Sequence, residues 1–122
     1  MNFHRKAHNQ RNLALNGKVA RQRIFSAKPQ TATTAAMKVF YRSIEWRKMR
    51  YGILVMYGRK CMCCHQTNGV MHVDHIKPLR YFWGLRLDPD NLQVLCEVCN
   101  HGKSHSDWTD FRPKTAKPWE AA

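Results

Sequence analysis

Two Cys-x-x-Cys pairs, Cys61 with Cys64 and Cys96 with Cys99, constrain the fold of this 122-residue chain more than any other feature. Each pair has the spacing at which a tight turn or a first helical turn aims two thiolates at one ion, and together they supply a full tetrahedral set of sulfur ligands. A chain of 14.4 kDa builds a single modest core, which gains stability from a metal staple. The pairs predict a closed, structural Zn²⁺ site that pulls the segment between them into one unit. The fifth cysteine, Cys63, could replace Cys64, but two intervening residues suit a knuckle better than one. Cys63 is therefore read as a free or packed thiol.

Metal binding is preferred to disulfides because the N-terminal MNFHRKAHNQRN leads into no apolar signal segment, so a cytoplasmic, reducing location is expected. A membrane span needs roughly 18 to 20 apolar residues, and the longest run here is Ile53 to Tyr57. No membrane partner is expected.

Charge divides the chain. Residues 1–60 carry 14 Lys and Arg against the single acid Glu45, whereas residues 61–122 carry 7 against 7. The net charge of +13 resides in the first half, and every cysteine and aspartate in the second. Such an imbalance predicts a polyanionic partner, nucleic acid first. Residues 1–42 are polar and include the low-complexity tract TATTAA, so they read as a flexible basic arm that is at most locally helical without a partner.

From Ser43 the pattern changes. Ser43 can cap a helix, Glu45 suits its first turn, Trp46, Met49, Ile53 and Met56 recur at helical spacing, and Gly58 can stop it. The opposite face carries Arg47, Lys48 and Arg50, which could reach DNA. The knuckle KCMCCHQTNG follows, then a strand over Val70 to Ile76 that ends before Pro78, and a loop with Tyr81, Phe82 and Trp83. That aromatic loop is read as core cover in preference to a wedge that stacks on bases. DPDN signals a turn, Asn91 to Leu95 a second strand, and Cys96 to about Ser106 a helix.

An acid and an imidazole, Asp74 and His75, are adjacent at the end of the first strand within HVDHIKP. The cysteine pairs would draw Asn91 and Asn100 close to them. Strict alternation sends Asp74 and His75 to opposite faces of a strand, so a break or bulge is expected there.

In this order and spacing, CMCC, HVDHIKPL, DPDNLQVLCEVCN and the lysine of NHGK resemble the HNH endonuclease family. The resemblance covers about Trp46 to Phe111 and implies a small α+β, ββα-metal fold. A four-cysteine zinc site staples that fold, and a helix and the basic arm precede it. The units expected are the arm (1–42), the nuclease domain (43–112) and a tail (113–122).

The resemblance also implies roles. His75 matches the general base, Asp74 and Asn100 the ligands of a catalytic Mg²⁺ or Mn²⁺, and Asn91 the residue that braces the loop and orients His75. Lys103 falls where relatives keep a basic residue near the phosphate, and joins Arg47, Lys48 and Arg50 as an expected nucleic-acid contact. Asn100 stands where histidine is more frequent, and His101 could take its place if the register were off by one. His72 shares a strand face with Asp74 but reads as packed or solvent-facing.

The expected activity is metal-dependent hydrolysis of double-stranded DNA, nicking one strand per active site, by a monomer or weak dimer. The free-standing form resembles phage or prophage versions that can serve a larger phage partner protein. The alternative is a zinc-bearing nucleic-acid-binding module without catalysis, against which the joint presence of Asp74, His75, Asn91 and Asn100 argues. A protein-docking role would predict little salt dependence of nucleic-acid binding.

Overall fold

A computed structural model describes residues 27–104 and 106–114. Most of the expected basic arm, and most of the tail, lie outside these residues.

Helix α1, Thr34–Arg42, begins where the Thr33 hydroxyl accepts a hydrogen bond from the Ala36 amide. Helix α2, Ile44–Tyr57, follows with only Ser43 between them. The Ser43 hydroxyl accepts from the Trp46 amide at 3.2 Å and donates to the Phe40 carbonyl at 2.6 Å, so one side chain closes the first helix and opens the second. Gly58 ends α2 with a φ of 79°, a left-handed conformation that costs glycine nothing sterically.

Helix α1 lies within residues 1–42, the stretch read as at most locally helical. Phe40 is buried between Trp46, with ring centroids 5.3 Å apart, and Trp83, at 5.6 Å. Phe40, and in part Met37, of the segment TAAMKVFYR pack on the core while Val39 and Tyr41 stay exposed, so tertiary packing selects which of its apolar residues are buried.

Strands β1, Met71–His75, and β2, Leu92–Cys96, pair antiparallel without interruption from Met71 opposite Cys96 to His75 opposite Leu92. Between them lie two short 3₁₀ turns, Trp83–Leu85 and Pro89–Asn91. Helix α3, Glu97–Gly102, follows β2 directly and is capped by the Cys96 sulfur.

Trp46, Met49, Ile53 and Leu54 of α2 are buried in one core cluster with Met71, Val73, Leu92 and Val94. Phe82 is buried, Trp83 packs partly against the core, and Tyr81 is exposed. Every residue of β2 is buried, whereas β1 alternates, because β2 is covered on both faces. The resulting α+β unit is a two-stranded hairpin between helices.

Candidate active site and metal centre

The four sulfurs of Cys61, Cys64, Cys96 and Cys99 lie within 4.8 Å of one another. Cys64 Sγ and Cys96 Sγ are 3.7 Å apart. A tetrahedral ion about 2.3 Å from each sulfur would separate them by roughly 3.8 Å, close to the spacing of this cluster. Burial alone would push the Cys61 thiol up, but backbone N–H groups of Cys64, Cys96 and Cys63 outweigh it and bring the value down to about 6. Cys63 is exposed and outside the cluster, as its spacing suggested.

The second site is a cavity of about 380 Å³ whose walls include His72, Val73, Asp74, His75, Asn100 and Lys103. Four consecutive residues of one strand can line one cavity only if it runs along the strand's edge. In a sheet of order β1-β2, the edge of β1 away from β2 has no partner strand among the described residues. Asp74 and His75 therefore reach the same cavity from opposite faces, and the expected bulge is replaced by unbroken pairing beside an open edge.

His75 is 5 % exposed and stacked on Trp46, with centroids 5.0 Å apart and planes inclined by 22°. Its Nε2 lies 3.0 Å from the Arg86 carbonyl oxygen. A carbonyl only accepts, so Nε2 carries the proton and the neutral ring keeps its lone pair on Nδ1. Burial lowers the His75 pKa from 6.5; the Arg86 bond and the Asp74 charge oppose that, and the Lys103 charge reinforces it.

Asn91 is fully buried. Its Oδ1 accepts from the Lys77 amide at 2.9 Å and its Nδ2 donates to the Lys77 carbonyl at 3.1 Å, while its backbone carbonyl accepts from the Ile76 amide. One side chain thus pins the turn that follows His75.

Asp74 presents two unlike oxygens. Oδ2 accepts from Lys103 Nζ at 2.6 Å and from Gln93 Nε2 at 3.0 Å. Oδ1 makes no hydrogen bond among the described residues. Asn100 shares the cavity with it, held in place because it follows Cys99 in α3. A carboxylate and an amide oxygen facing a polar cavity make a donor set for a hard divalent cation.

Lys103 lines the cavity and is turned inward. Besides Asp74 it donates to the His75 carbonyl at 2.9 Å and the Ile76 carbonyl at 3.2 Å. Arg50 lines the cavity and bonds the Met71 carbonyl, whereas Arg47 and Lys48 are exposed elsewhere on α2. His101 is exposed and does not line the cavity, and His72 lines it with a buried, unpartnered Nε2.

Sequence reasoning missed Gln93. It stands opposite Asp74 in the strand register and is fully buried. Its Nε2 also donates to the Thr109 carbonyl, and its Oε1 accepts from the Phe111 amide at 2.8 Å. A buried amide within an otherwise apolar strand, LQVLC, is the available signal, since such a group needs partners.

Residues 61–106 match the family model for HNH endonuclease. A probable HNH endonuclease of Lactococcus phage SK1 is 32 % identical over 74 residues, which span 57 % of this chain and 78 % of that protein. The crystal structure of the HNH endonuclease of the deep-sea thermophilic bacteriophage GVE2, with manganese ion, aligns with a TM-score of 0.50 at 34 % identity, covering 56 % of this chain and 77 % of that one. With the paired thiolates, the Asp74–His75 corner and these relatives in agreement, the chain belongs to the HNH endonuclease family.

Proposed function

We propose that this protein hydrolyses phosphodiester bonds of double-stranded DNA, cutting one strand per active site, with His75 as general base. The observation that carries the reading is the 3.0 Å contact of His75 Nε2 with the Arg86 carbonyl, which assigns the proton to Nε2 and leaves Nδ1 unprotonated on a ring that shares its cavity with Asp74 and Asn100. Neutral imidazole at pH 7 can take a proton from water attacking phosphorus. Trp46 stacked on one face and Asn91 bracing the following turn keep the ring in that orientation.

Asp74 Oδ1 and Asn100 would hold a divalent cation, Mg²⁺ or Mn²⁺, which supplies charge stabilisation at the phosphorane and the leaving 3′ oxygen when bound. The manganese in the GVE2 relative supports a hard ion in this family. Zn²⁺ on Cys61, Cys64, Cys96 and Cys99 would be structural, because four protein sulfurs leave it no open position. Arg50 at the cavity and Arg47 and Lys48 on the same helix would contact flanking phosphates.

The test is relaxation of supercoiled plasmid by purified protein in Mg²⁺ or Mn²⁺, with an EDTA control and His75→Ala. Open circles from the wild type, abolished by both controls, are expected. Absence of cutting by folded, zinc-loaded protein, together with tight salt-sensitive DNA binding, would overturn the enzyme reading in favour of a binding module. Linear product without an open-circle intermediate would replace nicking by paired cleavage.

A further inference from the structure

The cavity wall opposite α3 comes from outside the segment that matches the family model, residues 61–106. Met37 and Tyr41, one turn apart on α1, both face the cavity. Helix α1 is a fixed support for them. Ahead of it, Gln30 and Ala32 donate to the carbonyls of Tyr81 and Arg80, both at 2.7 Å, and Gln30 accepts from the Trp83 amide. Arg80, itself a cavity residue, donates from Nη2 to the Thr34 hydroxyl at 3.0 Å. At the other end, the buried Phe40 locks the helix against Trp46.

Tyr41 is thereby held beside the reacting groups. Its ring meets His75 edge-on, with centroids 6.3 Å apart, and Trp46 likewise at 5.6 Å. The residue is 47 % exposed, so a ligand entering the cavity can reach it. Its hydroxyl makes no hydrogen bond among the described residues. A phenol hydroxyl is a proton donor through the neutral range. A neutral donor held beside the cavity suits a ligand that offers only acceptors there, as a phosphodiester does.

We infer that Tyr41 is a substrate-contacting residue whose hydroxyl donates a hydrogen bond to a non-bridging oxygen of the phosphodiester seated at Asp74 and His75. This rests on the nuclease reading of the cavity, and it extends the site to a helix that the family segment does not include.

Tyr41→Phe keeps the ring that packs on His75 and Trp46 and removes one unpartnered oxygen, so its unfolding midpoint should match the wild type. Its kcat/KM for cleavage should fall by about 10- to 100-fold, the usual effect of losing a hydrogen bond to a charged group. The decisive measurement uses oligonucleotide duplexes with a stereopure phosphorothioate at the scissile position, in Mn²⁺. For one stereoisomer the wild type should lose about as much as Tyr41→Phe does, and the variant should lose nothing further. Wild-type rates for Tyr41→Phe, or losses that multiply for both stereoisomers, would overturn the contact while leaving the nuclease reading standing. Failure of the wild type to cut unmodified duplex would overturn both.

Discussion

Lys103 Nζ lies 2.6 Å from Asp74 Oδ2, with the lysine side chain 5 % and the aspartate side chain 16 % exposed. The carboxylate assigned to the catalytic cation is thus half-neutralised by the protein itself. Removing the ammonium leaves Asp74 with Gln93 alone on that oxygen, and leaves the His75 and Ile76 carbonyls without this donor. Lys103→Met should lower stability by about 2–4 kcal/mol, read from urea unfolding. It should also bind Mn²⁺ more tightly in titration calorimetry, because a like charge beside the carboxylate is gone. Lys103→Arg should not restore stability, since a planar guanidinium does not fit a three-oxygen cage built around a compact ammonium. Weaker Mn²⁺ binding by Lys103→Met would show that the lysine holds Asp74 in place rather than competing for it.

The pH dependence follows from the burial of His75. Its pKa is lowered from 6.5, so the base is unprotonated above that value and is lost only as pH falls below it. The acidic limb of kcat/KM should therefore lie below 6.5. The same shift gives a stability that is fully present above 6.5 and declines as the pH drops toward the folded-state value, because the folded protein resists protonation. An acidic limb above 6.5 would contradict both statements.

Gln93 should rank among the more sensitive polar positions. Gln93→Ala strands the Phe111 amide and the Thr109 carbonyl and removes one of the two donors on Asp74 Oδ2. A loss of about 2–3 kcal/mol is expected, with reduced cleavage at saturating Mn²⁺. Gln93→Glu should do worse, since it sets a second carboxylate against Asp74 across the strand pair. Chemical denaturation of both variants, in one buffer, gives the ranking.

Cys96→Ser tests the sulfur cluster. Cys96 is buried, and its sulfur both belongs to the four-sulfur group and accepts from the Cys99 amide at the start of α3. The variant should lose its bound metal and its cooperative thermal transition together, whereas Cys63→Ser should retain both. Metal content by elemental analysis and calorimetric melting separate the two cases.

Much of this architecture is written locally. Ser43, the Trp46-Met49-Ile53 stripe and Gly58 specify α2 with no tertiary help, and the Cys-x-x-Cys spacings specify the sulfur cluster. Asp74 and His75 are legible as a motif, but their convergence is not. It depends on the β1 edge having no partner strand among the described residues, which no property of residues 71–76 reveals. Lys103 is visible as a basic residue near the end of α3, and only folding turns it inward toward Asp74. The α1 wall is hidden for a different reason. Phe40, with Met37 beside it, anchors the helix, but its first residues belong to the tract TATTAA and read with the arm that precedes them.

The hairpin is clamped at both ends. Cys96 fixes the end where Met71 faces it, and Asn91 bonded to Lys77 fixes the other, just beyond His75 and Leu92. A slip of one residue between the strands would turn Asp74 into the core and His75 toward Gln93. The four-sulfur cluster, at the opposite end of the hairpin from the Asn91–Lys77 clamp, thus acts as a register stop. It sets which face of the hairpin Asp74 and His75 each take.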